Sequence, residues 1–154
     1  MRVIIKSIHV IIVMLILLLT GCDNTFDEAP PLSGVIDGQD WYYKYAKANY
    51  VMTESKFTAE LYGKGQTEQD PCSIVNTNEA YLSLEVPSQT GNYQIPSDIP
   101  VIFGLPGVTN TTFSAISGYM DITAGNSSQV VGYIEAYYDE KNKVSGSFSF
   151  SRCN

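Results

Sequence analysis

Val144-Ser145-Gly146-Ser147-Phe148-Ser149-Phe150 decides the fold class of this chain. Val144, Gly146, Phe148 and Phe150 fall on one side of an extended strand and the serines on the other. This period-two alternation gives a strand with one buried and one wet face. The pattern repeats upstream. Leu82, Leu84 and Val86 alternate with Tyr81, Ser83 and Glu85, and Phe57, Ala59 and Leu61 alternate with Thr58 and Glu60. Asp37-Gly38 after Gly34-Val35-Ile36 is a hairpin signal. Gly91–Ile95 begins a short strand, and Val101-Ile102-Phe103, among Pro96, Pro100 and Pro106, reads as an edge strand. Phe113–Thr123, Val130–Tyr138 and Val144–Cys153 read as a meander, with turns at 125–128 and 139–143. Gly118, Gly132 and Gly146 are equally spaced. The first two open similar words, Gly118-Tyr119-Met120-Asp121-Ile122 and Gly132-Tyr133-Ile134-Glu135-Ala136, read here as strands of equal length rather than a repeat.

No stretch after the first twenty-odd residues carries a helical period, and eleven tyrosines with many serines, threonines and glycines suit strand and turn. The expectation is an all-β fold: an antiparallel β-sandwich or flattened barrel of roughly eight to ten strands.

The beginning of the chain has another character. Arg2 and Lys6 precede an apolar run from Ile8 to Leu19. At about twelve residues it falls short of the ~20 that cross a bilayer as a helix and has the form of a secretory signal. It ends in Leu19-Thr20-Gly21-Cys22, which resembles the lipobox of bacterial lipoproteins. That resemblance implies cleavage before Cys22 and lipid on its thiol, and two acyl chains make a lasting anchor. The organisation read from this is a signal peptide over 1–21, an extended tether over 22–32 containing Pro30-Pro31, and a single β domain over 33–154. The location implied is the bacterial cell envelope, with the outer membrane favoured over the inner. Asp23 resembles an inner-membrane retention signal, and Asp27-Glu28 a surface-export signal.

Of three cysteines, Cys72 and Cys153 remain once Cys22 carries lipid. In an oxidising compartment this even remainder is expected to form one disulfide. The formal net charge is −7, and removal of Arg2 and Lys6 makes the mature chain more acidic still. That excludes a nucleic-acid partner, which wants a basic surface.

The one histidine, His9, lies in the signal segment. The mature chain therefore lacks a Ser-His-Asp triad, Cys-His catalysis and histidine-bearing zinc sites. Paired carboxylates are what an envelope hydrolase would have left to it. Asp139-Glu140 reads as a hairpin tip, and Glu60, Glu85 and Glu135 as residues of wet sheet faces. Glu68 and Asp70 read as an ordinary polar loop rather than a calcium site. No cofactor and no metal is expected. Trp41, Tyr43 and Tyr45 read as one face of an aromatic strand over Trp41–Ala48, either core or a ligand-facing row, and Tyr133, Tyr137 and Tyr138 pose the same choice. Both rows on one exposed face would make a binding platform.

The words Val35-Ile36-Asp37-Gly38-Gln39-Asp40-Trp41 and Val144–Phe150, with Asp121-Ile122-Thr123, resemble those of small Bacteroidota lipoproteins of unknown function. In these a lipobox precedes a single β domain. The resemblance implies fold and compartment and carries no catalytic residue. The expected function is a membrane-anchored, non-enzymatic binding or interaction module for an envelope protein, glycan or apolar ligand. The alternative is an inhibitor or immunity protein that blocks an envelope enzyme or toxin.

Overall fold

The computed structural model describes residues 29–63, 71–73, 79–105 and 111–153. Eleven strands occur among them: β1 (Ser33–Ile36), β2 (Gln39–Tyr42), β3 (Tyr45–Val51), β4 (Lys56–Tyr62), β5 (Tyr81–Pro87), β6 (Gly91–Ile95), β7 (Val101–Leu105), β8 (Thr111–Ser114), β9 (Ser117–Gly125), β10 (Gln129–Asp139) and β11 (Asn142–Ser151). A six-stranded sheet runs β2-β1-β11-β10-β9-β6 and a five-stranded sheet β3-β4-β5-β7-β8. The strand pairs within each are antiparallel, and the sheets pack as a sandwich.

The buried face of β11 is the one its alternation gives: Val144, Gly146, Phe148 and Phe150 are buried and Ser145 and Ser149 exposed. Phe150 meets Phe57 of β4 edge-to-face at 5.6 Å, joining the two sheets within the core. Leu82, Leu84 and Val86 of β5, and Met120, Ile122 and Ile134 of β9 and β10, supply the rest, each at most 1% exposed. Burying one such side chain contributes about 1.5–3 kcal/mol, which is why alternation fixes the register. At the β1–β2 turn Asp37 and Gly38 have φ of 53° and 72°, the left-handed pair of a tight hairpin.

Two strands expected from the sequence are each divided between the sheets. Trp41–Ala48 splits into β2 and β3. The Tyr43 N–H donates to the Leu32 carbonyl beside the six-stranded sheet, and the Lys44 N–H donates to the Tyr62 carbonyl of the five-stranded one. Phe113–Thr123 splits into β8 and β9 in the same way. The Ala115 N–H donates to the Val101 carbonyl, and the Ile116 N–H to Tyr137. Each switch takes one peptide step with no glycine or proline to mark it. These divisions carry the strand count past the expected eight to ten. A further correction concerns Val101-Ile102-Phe103. They belong to an interior strand, since β7 lies between β5 and β8; the prolines that suggest an edge lie outside the strand, where no ladder donor is needed.

The domain also begins before Ser33. Leu32 is 1% exposed and its N–H donates to the Ser147 carbonyl at 2.8 Å, while the Ser147 N–H donates to Pro30 at 2.7 Å. The Ser147 hydroxyl donates to the Ala29 carbonyl. The last residues of the expected tether are thus fastened along β11. The expected signal segment 1–21, Cys22 and the rest of the expected tether lie outside the described residues.

Candidate functional site

Trp41, Tyr43 and Tyr45 do not form one row. Trp41 is 5% exposed and its Nε1–H donates to the Ala80 carbonyl at 3.1 Å. It packs inward against Gly63, where a Cβ would stand 2.6 Å from the indole. Tyr43 lies at the sheet switch, half-buried, and its hydroxyl donates to the Ser149 carbonyl at 2.7 Å. Burial pushes its phenol pKa up to about 12. Tyr45 stands on the outer face of the five-stranded sheet, stacked on Tyr62 at 5.1 Å. Tyr62 in turn lies 5.7 Å from Tyr81, whose ring covers Gly104. This ladder follows the register Tyr45↔Tyr62↔Tyr81↔Gly104. The row fails because the chain changes sheets within it: aromatic residues suit a strand in either sheet.

The later aromatic residues lie elsewhere. Tyr138 packs on Phe113 at 5.0 Å, against the core. Tyr133 is on the outer face of the six-stranded sheet, and so the two aromatic rows do not share an exposed face. Tyr133 does have an aromatic partner there. Tyr119 of β9 stacks on it with ring centroids 5.8 Å apart and planes 27° from parallel.

The setting of this pair follows from register. Met120 pairs with Ile134 and both are fully buried. Their neighbours Tyr119, Asp121, Tyr133 and Glu135 therefore point outward. Tyr119 opposes Glu135, and Asp121 opposes Tyr133. The result is a square with rings on one diagonal and carboxylates on the other. Flanking strands extend both rows: Gln94–Tyr119–Glu135–Ser145 and Asn92–Asp121–Tyr133–Ser147. Every one of these positions bears a hydrogen-bonding side chain. The Tyr133 and Ser145 hydroxyls lie 2.6 Å apart, and the Gln94 amide donates to Asn92 at 3.2 Å. Tyr119, Asp121 and Tyr133 are half-buried and Glu135 is exposed. The Tyr119 phenol pKa is raised, first by partial desolvation, then by Tyr133 and by the negative charge of Glu135 and Asp121.

Tyr119 and Asp121 are not among the site residues that the sequence singles out. Their signal is the similar pair of words at Gly118 and Gly132. Placed antiparallel about the Met120–Ile134 pair, two copies of Gly-Tyr-x-acid set each tyrosine against the other's carboxylate.

The remaining carboxylates sit in ordinary settings. Asp139 accepts from the Lys141 N–H and the Asn142 amide at the β10–β11 turn, and Glu140 pairs with Lys143. Glu85 pairs with Lys56, as does Glu54, and Glu60 accepts from the Tyr62 hydroxyl. Glu68 and Asp70 lie outside the described residues. Among the described residues no group of three or more histidine, cysteine or acidic side chains is placed to hold a metal, and no helix is long and apolar enough to cross a membrane. Cys72, in a short 3-10 turn over Pro71–Ser73, is bonded to Cys153 with Cα atoms 5.3 Å apart, as the cysteine count predicts. No protein-family model, curated protein or solved structure matches the chain.

Proposed function

We propose that the chain is a non-enzymatic binding module of the bacterial cell envelope, held to a membrane through lipid on Cys22, the outer membrane being favoured. Its contact surface is the outer face of the six-stranded sheet around Tyr119 and Tyr133. One observation carries this reading: a half-exposed tyrosine pair on an outer sheet face, in two cross-strand rows whose other positions are all polar. Tyrosine offers apolar area together with a hydrogen-bonding tip and few rotatable bonds, which suits contact surfaces. The lipobox supports the anchor, and the lack of histidine after residue 9 supports a role without acid–base turnover near neutral pH. The second reading, an inhibitor or immunity protein for a basic envelope enzyme or toxin, is favoured by the formal charge of −7.

The test is crosslinking in the cells that make the protein. A photoreactive residue in place of Ser145, beside the square, is expected to capture an envelope component. One in place of Thr58, exposed on the opposite sheet, is expected to capture none. Equal capture from both faces, or none from either, would reject this face as the contact surface.

A further inference from the structure

The square has an uneven charge balance. Among the described residues the ion pairs are Lys56 with Glu54 and Glu85, and Lys143 with Glu140. Asp121 and Glu135 belong to none of them. Two carboxylates are thus held at diagonal positions, roughly 7–8 Å apart by sheet geometry, with two phenol rings between them and no basic residue in either row. The cation nearest in register, Lys143 beside Ser145, is engaged by Glu140. The negative field at the square is felt by Tyr119, whose phenol is kept protonated to higher pH.

Such an arrangement suits one kind of group. A ring face is negative and attracts a cation lying over it, while a carboxylate at the ring's edge accepts its N–H donors. A guanidinium does both at once, because it is flat, always charged and presents donors around its rim. An anionic sugar or phosphate would meet repulsion from both carboxylates. A neutral sugar would gain little from two uncompensated charges beside it.

We propose that the Tyr119–Asp121–Tyr133–Glu135 square docks an arginine or lysine side chain presented by a basic segment of a partner protein. An outer sheet face offers its side chains to a protruding cation rather than to a ligand needing enclosure. The chain's acidity would steer such a partner in. This inference rests on the reading of the same face as the contact surface, and it adds the chemistry of what is contacted.

The test uses the full chain in neutral detergent with a labelled hexa-arginine peptide, a hexa-serine peptide and a neutral glucose hexasaccharide, at physiological salt. The expected result is binding of hexa-arginine alone. Asp121→Asn with Glu135→Gln should weaken it about tenfold or more, and Tyr119→Leu about threefold or more. A second double variant, Glu54→Gln with Glu60→Gln, removes the same charge on the side of the five-stranded sheet and should cost less than about twofold. Melting curves matching the parent establish that the variants are folded. Absence of peptide binding, an equal loss in both double variants, or indifference to the square variants would overturn the proposal. Hexasaccharide binding without peptide binding would also overturn it, while leaving the face as a contact surface.

Discussion

The Cys153 N–H donates to the Ala48 carbonyl at 2.7 Å, and in doing so it crosses from one sheet to the other. Cys153 follows β11 of the six-stranded sheet, whereas Ala48 is on β3, the edge of the five-stranded one. The C-terminal tail thus occupies a carbonyl on the β3 edge of that sheet. Covering edges in this way protects a sandwich against pairing with other chains. The bond from Cys153 to Cys72 fixes the tail where that contact is made.

Cys72→Ala with Cys153→Ala is expected to keep the fold and lose stability. The bridge closes a separation of 81 residues, for which loop entropy sets an upper value of about 4–5 kcal/mol. The melting temperature should fall by roughly 10 °C, and the backbone amide at position 153 should lose the protection from hydrogen exchange that it has in the parent. Intact mass of the unreduced parent must be two hydrogens below the dithiol. Two alkylatable thiols would reject the bridge.

Gly34 and Gly104 are both crowded, but by different things. A Cβ on Gly34 would lie 2.1 Å from the Lys143 backbone carbonyl, and one on Gly104 would lie 2.2 Å from the Tyr81 ring. A half-exposed ring can swing aside, whereas a strand held in a ladder cannot. Gly34→Ala should therefore cost about 3 kcal/mol and Gly104→Ala nearer 1 kcal/mol. Urea unfolding of the two variants decides it, and an equal cost would show that the ring is as fixed as the backbone.

Alternation makes β4, β5 and β11 legible in the amino-acid order alone, because one buried face forces a period of two. Asp37-Gly38 is legible because few other residue pairs adopt two left-handed positions in succession. The sheet switches at Tyr43-Lys44 and Ala115-Ile116 are not. A strand that changes sheets keeps its extended backbone and its propensity, and only its hydrogen-bond partners change. The hidden switch at Tyr43 also misdirects the search for a site, since without it Trp41, Tyr43 and Tyr45 share a face that does not exist. The square at Tyr119 and Tyr133 needs the pairing of β9 with β10, which the resemblance of their words hints at without giving its register.

Trp41 is the one tryptophan of the chain and reports directly on the core edge it fills. At 5% exposure its emission in the folded protein should be blue-shifted and should move red on unfolding. Trp41→Phe leaves the Ala80 carbonyl without its donor and should cost about 1–3 kcal/mol, followed by circular dichroism. Trp41→Ala also opens a cavity and should cost about 3–5 kcal/mol. Red emission from the folded parent would place the indole in solvent and contradict its burial.

Tyr43 ties stability to alkaline pH. Its phenol donates to the Ser149 carbonyl, and burial raises its pKa from 10.0 to about 12. The folded state thus holds the proton more tightly than the unfolded state does. The stability this confers is complete below pH 10 and is lost as pH rises through about 12. Across that window the loss attributable to Tyr43 should be about 2 kcal/mol. Tyr43→Phe removes the hydrogen bond and should cost about 1 kcal/mol at neutral pH, but it also removes the ionisation. Its melting temperature should therefore fall less steeply than the parent's as pH rises above 10, so that the two curves converge and then cross before pH 12. Tyr45 and Tyr119, also raised, remain in both proteins and cancel in the comparison. Parallel curves from neutral pH to about 12 would show that the Tyr43 hydroxyl ionises in the folded protein as readily as in water, and that the Ser149 contact does not hold it.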